Sequence, residues 1–248
     1  MEHRKINEML VPAGREMHIP YDRNIRIAIG VPSGDLVHAN FAMSLAQMCT
    51  VMGRVVDLIF INTKGSIVAK NRNILVAKAL EHQADYLLMV DSDLSFPSNA
   101  LLQLLHAGKH ICACTYVGRQ EPHQNFAVPL GAQYGDATTV EVPEVGVIEV
   151  AKLPTGLMLI HTSVFEKIEK PYFHFGVTEP GEFGDERIIT GEDFNFCDKA
   201  RKAGFKVHLE VGLSLGVIHW GEQGFKISTQ PIVPGEFHLG YERVEVGN

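Results

Sequence analysis

From Ile25 onward the chain alternates between two apolar patterns. "IRIAIGV" (25–31), "VVDLIFIN" (55–62), "YLLMV" (86–90) and "HICACTY" (110–116) are short, nearly unbroken apolar runs, as strands buried on both faces require. Between them, "HANFAMSLAQMCTVM" (38–52), "IVAKNRNILVAKALEH" (67–82) and "SNALLQLLHAG" (98–108) place apolar residues at helical spacing. Gly53 and Gly108 stand where helices stop, and Ser98 stands where one can be capped. This alternation predicts an α/β fold: a mostly parallel sheet with helices on both faces. Ligands of such sheets bind beyond the carboxyl ends of the strands. Pro32–Asp35 and the pair Asp91 and Asp93 should therefore face one crevice.

The second half is patterned differently. Residues 117–150 are turn-rich and then alternate in "TTVEVPEVGVIEVAKL" (138–153), which predicts a hairpin. "GLMLI" (156–160) reads as a short strand and "TSVFEKI" (162–168) as a helix. A loop rich in Phe, Gly and Glu runs from Pro171 to Ile189; with Gly181 and Gly184 among Phe173, Phe175 and Phe183 it reads as a lid. "TGEDFNFCDKARKAG" (190–204) carries a helix's full punctuation: Thr190 as cap, acids in the first turn, bases in the last, Gly204 at the end. "KVHL" and "LSLGVIHW" (213–220) read as strands, and the tail from Gly221 as irregular.

No linker-like or repeated segment divides the 248 residues, so one domain is expected: a half at about 25–130, a second at about 131–220, and the tail 221–248. A formal net charge of −7 with both signs interspersed argues against a surface built to grip nucleic acid. No apolar run approaches the roughly 20 residues that span a bilayer, and the first twenty residues lack the apolar core of a signal peptide. The expectation is a soluble, cytoplasmic protein. The four cysteines then read as reduced thiols. Zinc ligation by Cys112, Cys114 and His110 is disfavoured, because alternate residues of one strand lack the usual ligand spacing.

In "YLLMVDSDLSFP" (86–97) a core strand ends on two aspartates one residue apart. Their repulsion is relieved if a hard divalent cation, Mg²⁺ or Mn²⁺, shares the turn with phosphate oxygens. Glu192 and Asp193 open a helix whose field keeps them ionised. His219 ends a strand and offers a nitrogen to a metal or phosphate.

Taken in order, "AIGVPSGD", "KNRNILVAKAL", "MVDSDLSFP", "LPTGLMLIHTSVFEKI" and "GEDFNFCDKARKAGFKV" resemble the nucleotide-sugar glycosyltransferases of the GT-A fold, especially glycosyltransferase family 2, over about residues 25–220. The resemblance implies a Rossmann-like donor half and a mixed acceptor-side subregion. It implies that Asp93, Asp91 and His219 hold Mn²⁺ or Mg²⁺, and that Val31, Pro32, Ser33, Asn62, Arg72, Asp91 and Ser92 meet the nucleotide. Tyr116, Arg119, Thr155 and Gly156 fall on the acceptor side. Asp193 would be the base that deprotonates an acceptor hydroxyl, with Glu192 orienting acceptor or sugar, and the transfer would invert the sugar carbon. Uridine donors are commoner than guanosine ones in that family. "GVIHWGEQ" lacks the aromatic-rich signature of processive synthases, which favours single transfers.

The acceptor stays open: a small molecule, a glycan, a protein side chain, or a hydroxymethylated base in viral DNA. Two readings from other classes stand beside this one. A nucleotidyltransferase would normally carry a basic, Gly-rich loop after the first strand, and "GVPSGDLVH" has no Lys or Arg. A non-catalytic nucleotide-sugar-binding protein would not need metal, base and cap signals together.

Overall fold

The computed structural model describes residues 2–12, 17–119, 125–132, 141–142, 145–177, 189–221, 224–233 and 236–244. Helix α1 (Glu2–Leu10) comes first, then β1 (Arg26–Ser33), α2 (Ala39–Met52), β2 (Asp57–Lys64), α3 (Val68–Glu81) and β3 (Tyr86–Val90), in the alternation the sequence predicts. A short β4 (Leu94–Ser95) and α4 (Ala100–His106) lead to β5 (Ile111–Ala113). There follow β6 (Glu141–Val142), β7 (Val147–Val150), β8 (Leu157–His161), α5 (Ser163–Lys167), β9 (Gly176–Val177), β10 (Ile189–Thr190) and α6 (Glu192–Lys202). The described chain closes with β11 (Val207–Glu210), α7 (Val211–Leu215), β12 (Ile218–Trp220), β13 (Gly224–Val233) and β14 (Glu236–Val244).

Seven strands form the main sheet in the order β2-β1-β3-β8-β5-β11-β7. β1, β2, β3, β5 and β11 point one way; β8 and β7 run against them. Successive residues of a strand face opposite sides, and β3 shows the consequence. Leu87 and Met89 pack with Leu75 and Val76 of α3 and Phe196 and Ala200 of α6, while Tyr86, Leu88 and Val90 pack with Met48 of α2 and Leu101 and Leu104 of α4. Helices thus cover both faces of a mostly parallel sheet, the fold class expected.

A separate five-stranded antiparallel sheet, β4-β12-β13-β14-β6, abuts the carboxyl end of β3, and β9 pairs with β10 alone. It revises several expectations. In the tail after Gly221, Gly224–Val233 and Glu236–Val244 are not irregular but pair as the long antiparallel strands β13 and β14. The hairpin expected at 138–153 divides: β6 pairs with β14, and β7 with β11 at the edge of the main sheet. "LSLG" is helical in α7, where the Glu210 carboxylate accepts from the Leu213 N–H; only Ile218–Trp220 is strand. Asn99, not Ser98, precedes α4, and Gly191, not Thr190, precedes α6, neither with a side-chain cap. Gly108 and Gly204 do terminate their helices, at φ of 60° and 90°. Gly181, Gly184 and Phe183 of the expected lid lie outside the described residues; Phe173 is buried in the core and Phe175 is exposed. Among the described residues no helix is long and apolar enough to cross a membrane.

Candidate active site

The crevice forms where β1 outruns β3. Their pairing stops at Gly30 and Met89, while β1 continues beside β2 through Pro32 and Ser33. Pro32 is tolerated because no strand lies on that side to take the N–H it lacks. Asn62 of β2 braces this end, donating from Nδ2 to Val31 O and Ser33 Oγ, both at 2.9 Å. From across the gap His38 N–H donates to Ser92 O (2.9 Å). Val31, Pro32, Ser33, Asn62 and Ser92 therefore stand together at this end of the sheet.

The two aspartates part company. Asp91 N–H donates to Gly156 O (2.8 Å) and its carboxylate turns inward, Oδ1 accepting from Arg72 NH2 at 2.9 Å and Oδ2 lying 3.5 Å from the Tyr116 hydroxyl. Asp93 faces the second sheet, with Oδ2 3.5 Å from His219 Nε2 and 3.3 Å from Arg119 NH1. β12 sets that pairing by running antiparallel to β4, His219 opposite Leu94. Trp220 locks the register: its N–H donates to Asp93 O (2.8 Å), its indole N–H to Ser95 Oγ (2.7 Å), and its ring stacks on His38 at 5.0 Å. Sequence reading passed over His38 and Trp220; the one tryptophan of the chain, beside His219, was the available signal.

His219 is held in one tautomer. Its Nδ1 lies 2.7 Å from Val117 O, and a carbonyl only accepts, so Nδ1 carries the proton. In the neutral ring Nε2 is then a bare lone pair aimed at a carboxylate oxygen. A proton on Nε2, which then hydrogen-bonds Asp93, or a bound cation relieves that juxtaposition, and a backbone carbonyl behind the far nitrogen is the usual support of a metal-binding histidine. Burial alone would push Asp93 up, but the hydrogen bond and charge of His219, then the charge of Arg119, hold it below the usual carboxylate range. Among the described residues no three His, Cys, Asp or Glu side chains converge, because Asp91 is engaged elsewhere. Two protein donors, Asp93 and His219, still suit Mg²⁺ or Mn²⁺, which take one or two and fill the remainder with phosphate and water. Cys112 and Cys114 are buried free thiols that burial pushes up.

Behind Asp91 stands a buried charge cluster. Arg72 of α3 donates from NH1 to Glu192 Oε1 at 2.6 Å, and both side chains are buried. Glu192 Oε1 thus faces the guanidinium, and Arg72, expected against the nucleotide, is buried between Glu192 and Asp91. Asp193, next along α6, is half-buried; its Oδ1 accepts from Phe194 N–H at 2.8 Å. Burial pushes its carboxyl up to about 6; Arg72 opposes and Glu192 reinforces the shift. Tyr116 is buried edge-on to His219, and a Cβ on Gly156 would come within 2.7 Å of its Cζ, so only glycine fits there. Thr155 is fully buried, and its hydroxyl has no partner among the described residues. Arg119 reaches Asp93 from the open side.

No protein-family model matches the sequence and no curated protein matches it significantly. Among solved structures the chain is similar in fold to A197 from STIV: TM-score 0.54, 16% identity, covering 81% of this chain and 90% of that one. A glycosyltransferase involved in the glycosylation of the major capsid of PBCV-1 overlaps at a TM-score of 0.33 and 13% identity, over 59% of this chain and 68% of that one. The 4-diphosphocytidyl-2C-methyl-D-erythritol synthase does so at 0.31 and 17%, over 57% and 77%. The last two scores are too low to bear on function.

Proposed function

We propose that this chain is a glycosyltransferase that moves a sugar from a nucleoside-diphosphate donor, a UDP-sugar by preference, to an acceptor hydroxyl with inversion. The observation that carries the reading is the Asp93–His219 pair, tautomer fixed by Val117 O, at the carboxyl end of a mostly parallel sheet. Mn²⁺ or Mg²⁺ held by Asp93 and His219 would offset the charge gathering on the departing diphosphate.

The remaining work falls to the chain's own residues. Val31, Pro32, Ser33 and Asn62 flank the nucleotide along the splayed edge of β1. Asp193 accepts the proton of the acceptor hydroxyl as its oxygen attacks the sugar carbon, while the diphosphate leaves with the bonding electrons. A base raised to about 6 is still ionised at neutral pH and more basic than an ordinary aspartate, which suits that transfer. Glu192 acts through Arg72: it fixes the guanidinium that orients Asp91.

The test is incubation with Mn²⁺ and a panel of nucleotide-sugars, following slow hydrolysis. Release of a nucleoside diphosphate from one donor is expected. Release of pyrophosphate from a nucleoside triphosphate instead would make the protein a nucleotidyltransferase, and binding without turnover on any acceptor would make it a binding protein.

A further inference from the structure

Arg119 stands where acceptor contacts were expected, yet its geometry suits the leaving group. NH1 donates to Trp220 O at 2.9 Å and lies 3.3 Å from Asp93 Oδ2. The side chain is 46% exposed, whereas the other arginine of the site, Arg72, is 5% exposed and occupied by two carboxylates. Gly221 makes room for it, since a Cβ there would stand 3.1 Å from Arg119 Cδ. NH2 and Nε have no partner among the described residues. A half-exposed guanidinium hung from a backbone carbonyl, with donors to spare, matches the paired oxygens of a phosphate.

Resting on the glycosyl-transfer reading, we propose that Arg119 binds the diphosphate of the donor. A divalent cation on Asp93 would compete with the guanidinium for that carboxylate, because the two positive charges repel. It would thereby loosen NH1 from Asp93 and leave its bond to Trp220 O. The bond to Trp220 O keeps the side chain at the mouth, where it meets the phosphate oxygens that accompany the cation. Arg119 would thus bind the leaving group rather than the acceptor.

The test is calorimetric titration of the whole chain with inorganic pyrophosphate in the presence of Mg²⁺, a probe independent of nucleoside and sugar. Arg119→Gln should weaken pyrophosphate binding by about tenfold to a hundredfold, the scale of a charged hydrogen bond pair. Arg119→Lys, which keeps the charge but loses the fork, should fall between. Thermal unfolding of both variants should match the wild type, since the side chain is half exposed. Unchanged pyrophosphate affinity in a folded Arg119→Gln, above all with a raised acceptor KM, would return Arg119 to the acceptor and leave the glycosyl-transfer reading standing. Failure of the wild type itself to bind pyrophosphate or any nucleoside diphosphate would overturn both.

Discussion

Arg72 and Glu192 lie 120 residues apart in sequence and 2.6 Å apart in the fold, both with side chains out of solvent. The same guanidinium takes Asp91 on its other nitrogen. One buried cation thereby ties the turn after β3 to the first turn of α6, so the two acidic motifs share one counter-ion. Burial alone would lower Arg72, but Asp91 and then Glu192 hold it above its usual value.

Removing one member of such a cluster leaves buried charge without compensation. Glu192→Ala should therefore destabilise the chain by about 3 kcal/mol or more, and Glu192→Gln, which keeps an acceptor for NH1, by less. Urea unfolding at neutral pH measures both. Equal, negligible costs would mean that the bridge contributes nothing beyond Asp91.

Asp193 predicts two pH effects of opposite consequence. As the base, it should give transfer an acid limb with an apparent pKa of about 6, activity rising as pH rises through it. For stability, the folded state holds the proton up to about 6, while the unfolded state releases it near 4. Native protein thus binds more protons between those values, and stability falls as pH rises through the window. Asp193→Asn should abolish the limb, stabilise the protein above pH 6, and lose that advantage below about pH 4. A pH series of rates and urea midpoints checks both.

What could be read from the chain divides along physical lines. Strands buried on both faces leave unbroken apolar runs, so β1, β3 and β5 were legible, as were the acids at strand and helix ends; β2 kept such a run although it is a half-exposed edge strand. Period-two alternation at 138–153 correctly signalled strand but carries no information on partners, and β6 and β7 joined different sheets. In β13 and β14, Pro231, Gly240 and a register shift between Pro231 and Val233 blur the alternation that Phe225 and Ile227 begin. Nor can spacing reveal that Asp91 and Glu192 meet through Arg72, because charges pair across any loop length.

Gly156 and Tyr116 should be energetically coupled. Gly156→Ala drives a methyl group into the phenol ring and pushes it off Asp91 and His219, a cost of about 1–3 kcal/mol. In a Tyr116→Ala background that cost should vanish. A double-mutant cycle in urea measures the difference; additive effects would show that the backbone at 156 yields instead.

Asn73, the neighbour of Arg72 on α3, pins the first residues of the expected lid. Its Nδ2 donates to Phe173 O (2.7 Å), and its Oδ1 accepts from Tyr172 and Phe173 N–H (2.8 and 3.2 Å). Asn73→Ala should speed amide exchange at residues 172 and 173 while leaving Leu87 and Leu88 in β3 protected, because the opening is local. Equal acceleration in β3 would mean the bonds support the whole fold.

The parting of the two aspartates predicts unequal roles at the metal. Asp93 and His219 face each other, with the histidine braced by Val117 O, whereas both oxygens of Asp91 lie against Arg72 and Tyr116. Asp93→Ala and His219→Ala should each weaken Mn²⁺ binding, followed by the electron paramagnetic resonance of the free ion, by at least about tenfold, the scale on which even outer partners of a ligand act. Asp91→Asn removes a charge near the site but no ligand, so its effect should be smaller and should diminish as salt is added. Val117 contributes only its carbonyl, so Val117→Ala should leave Mn²⁺ affinity nearly unchanged. Losses of equal size at Asp91, Asp93 and His219 would instead require Asp91 to leave Arg72 when the cation binds.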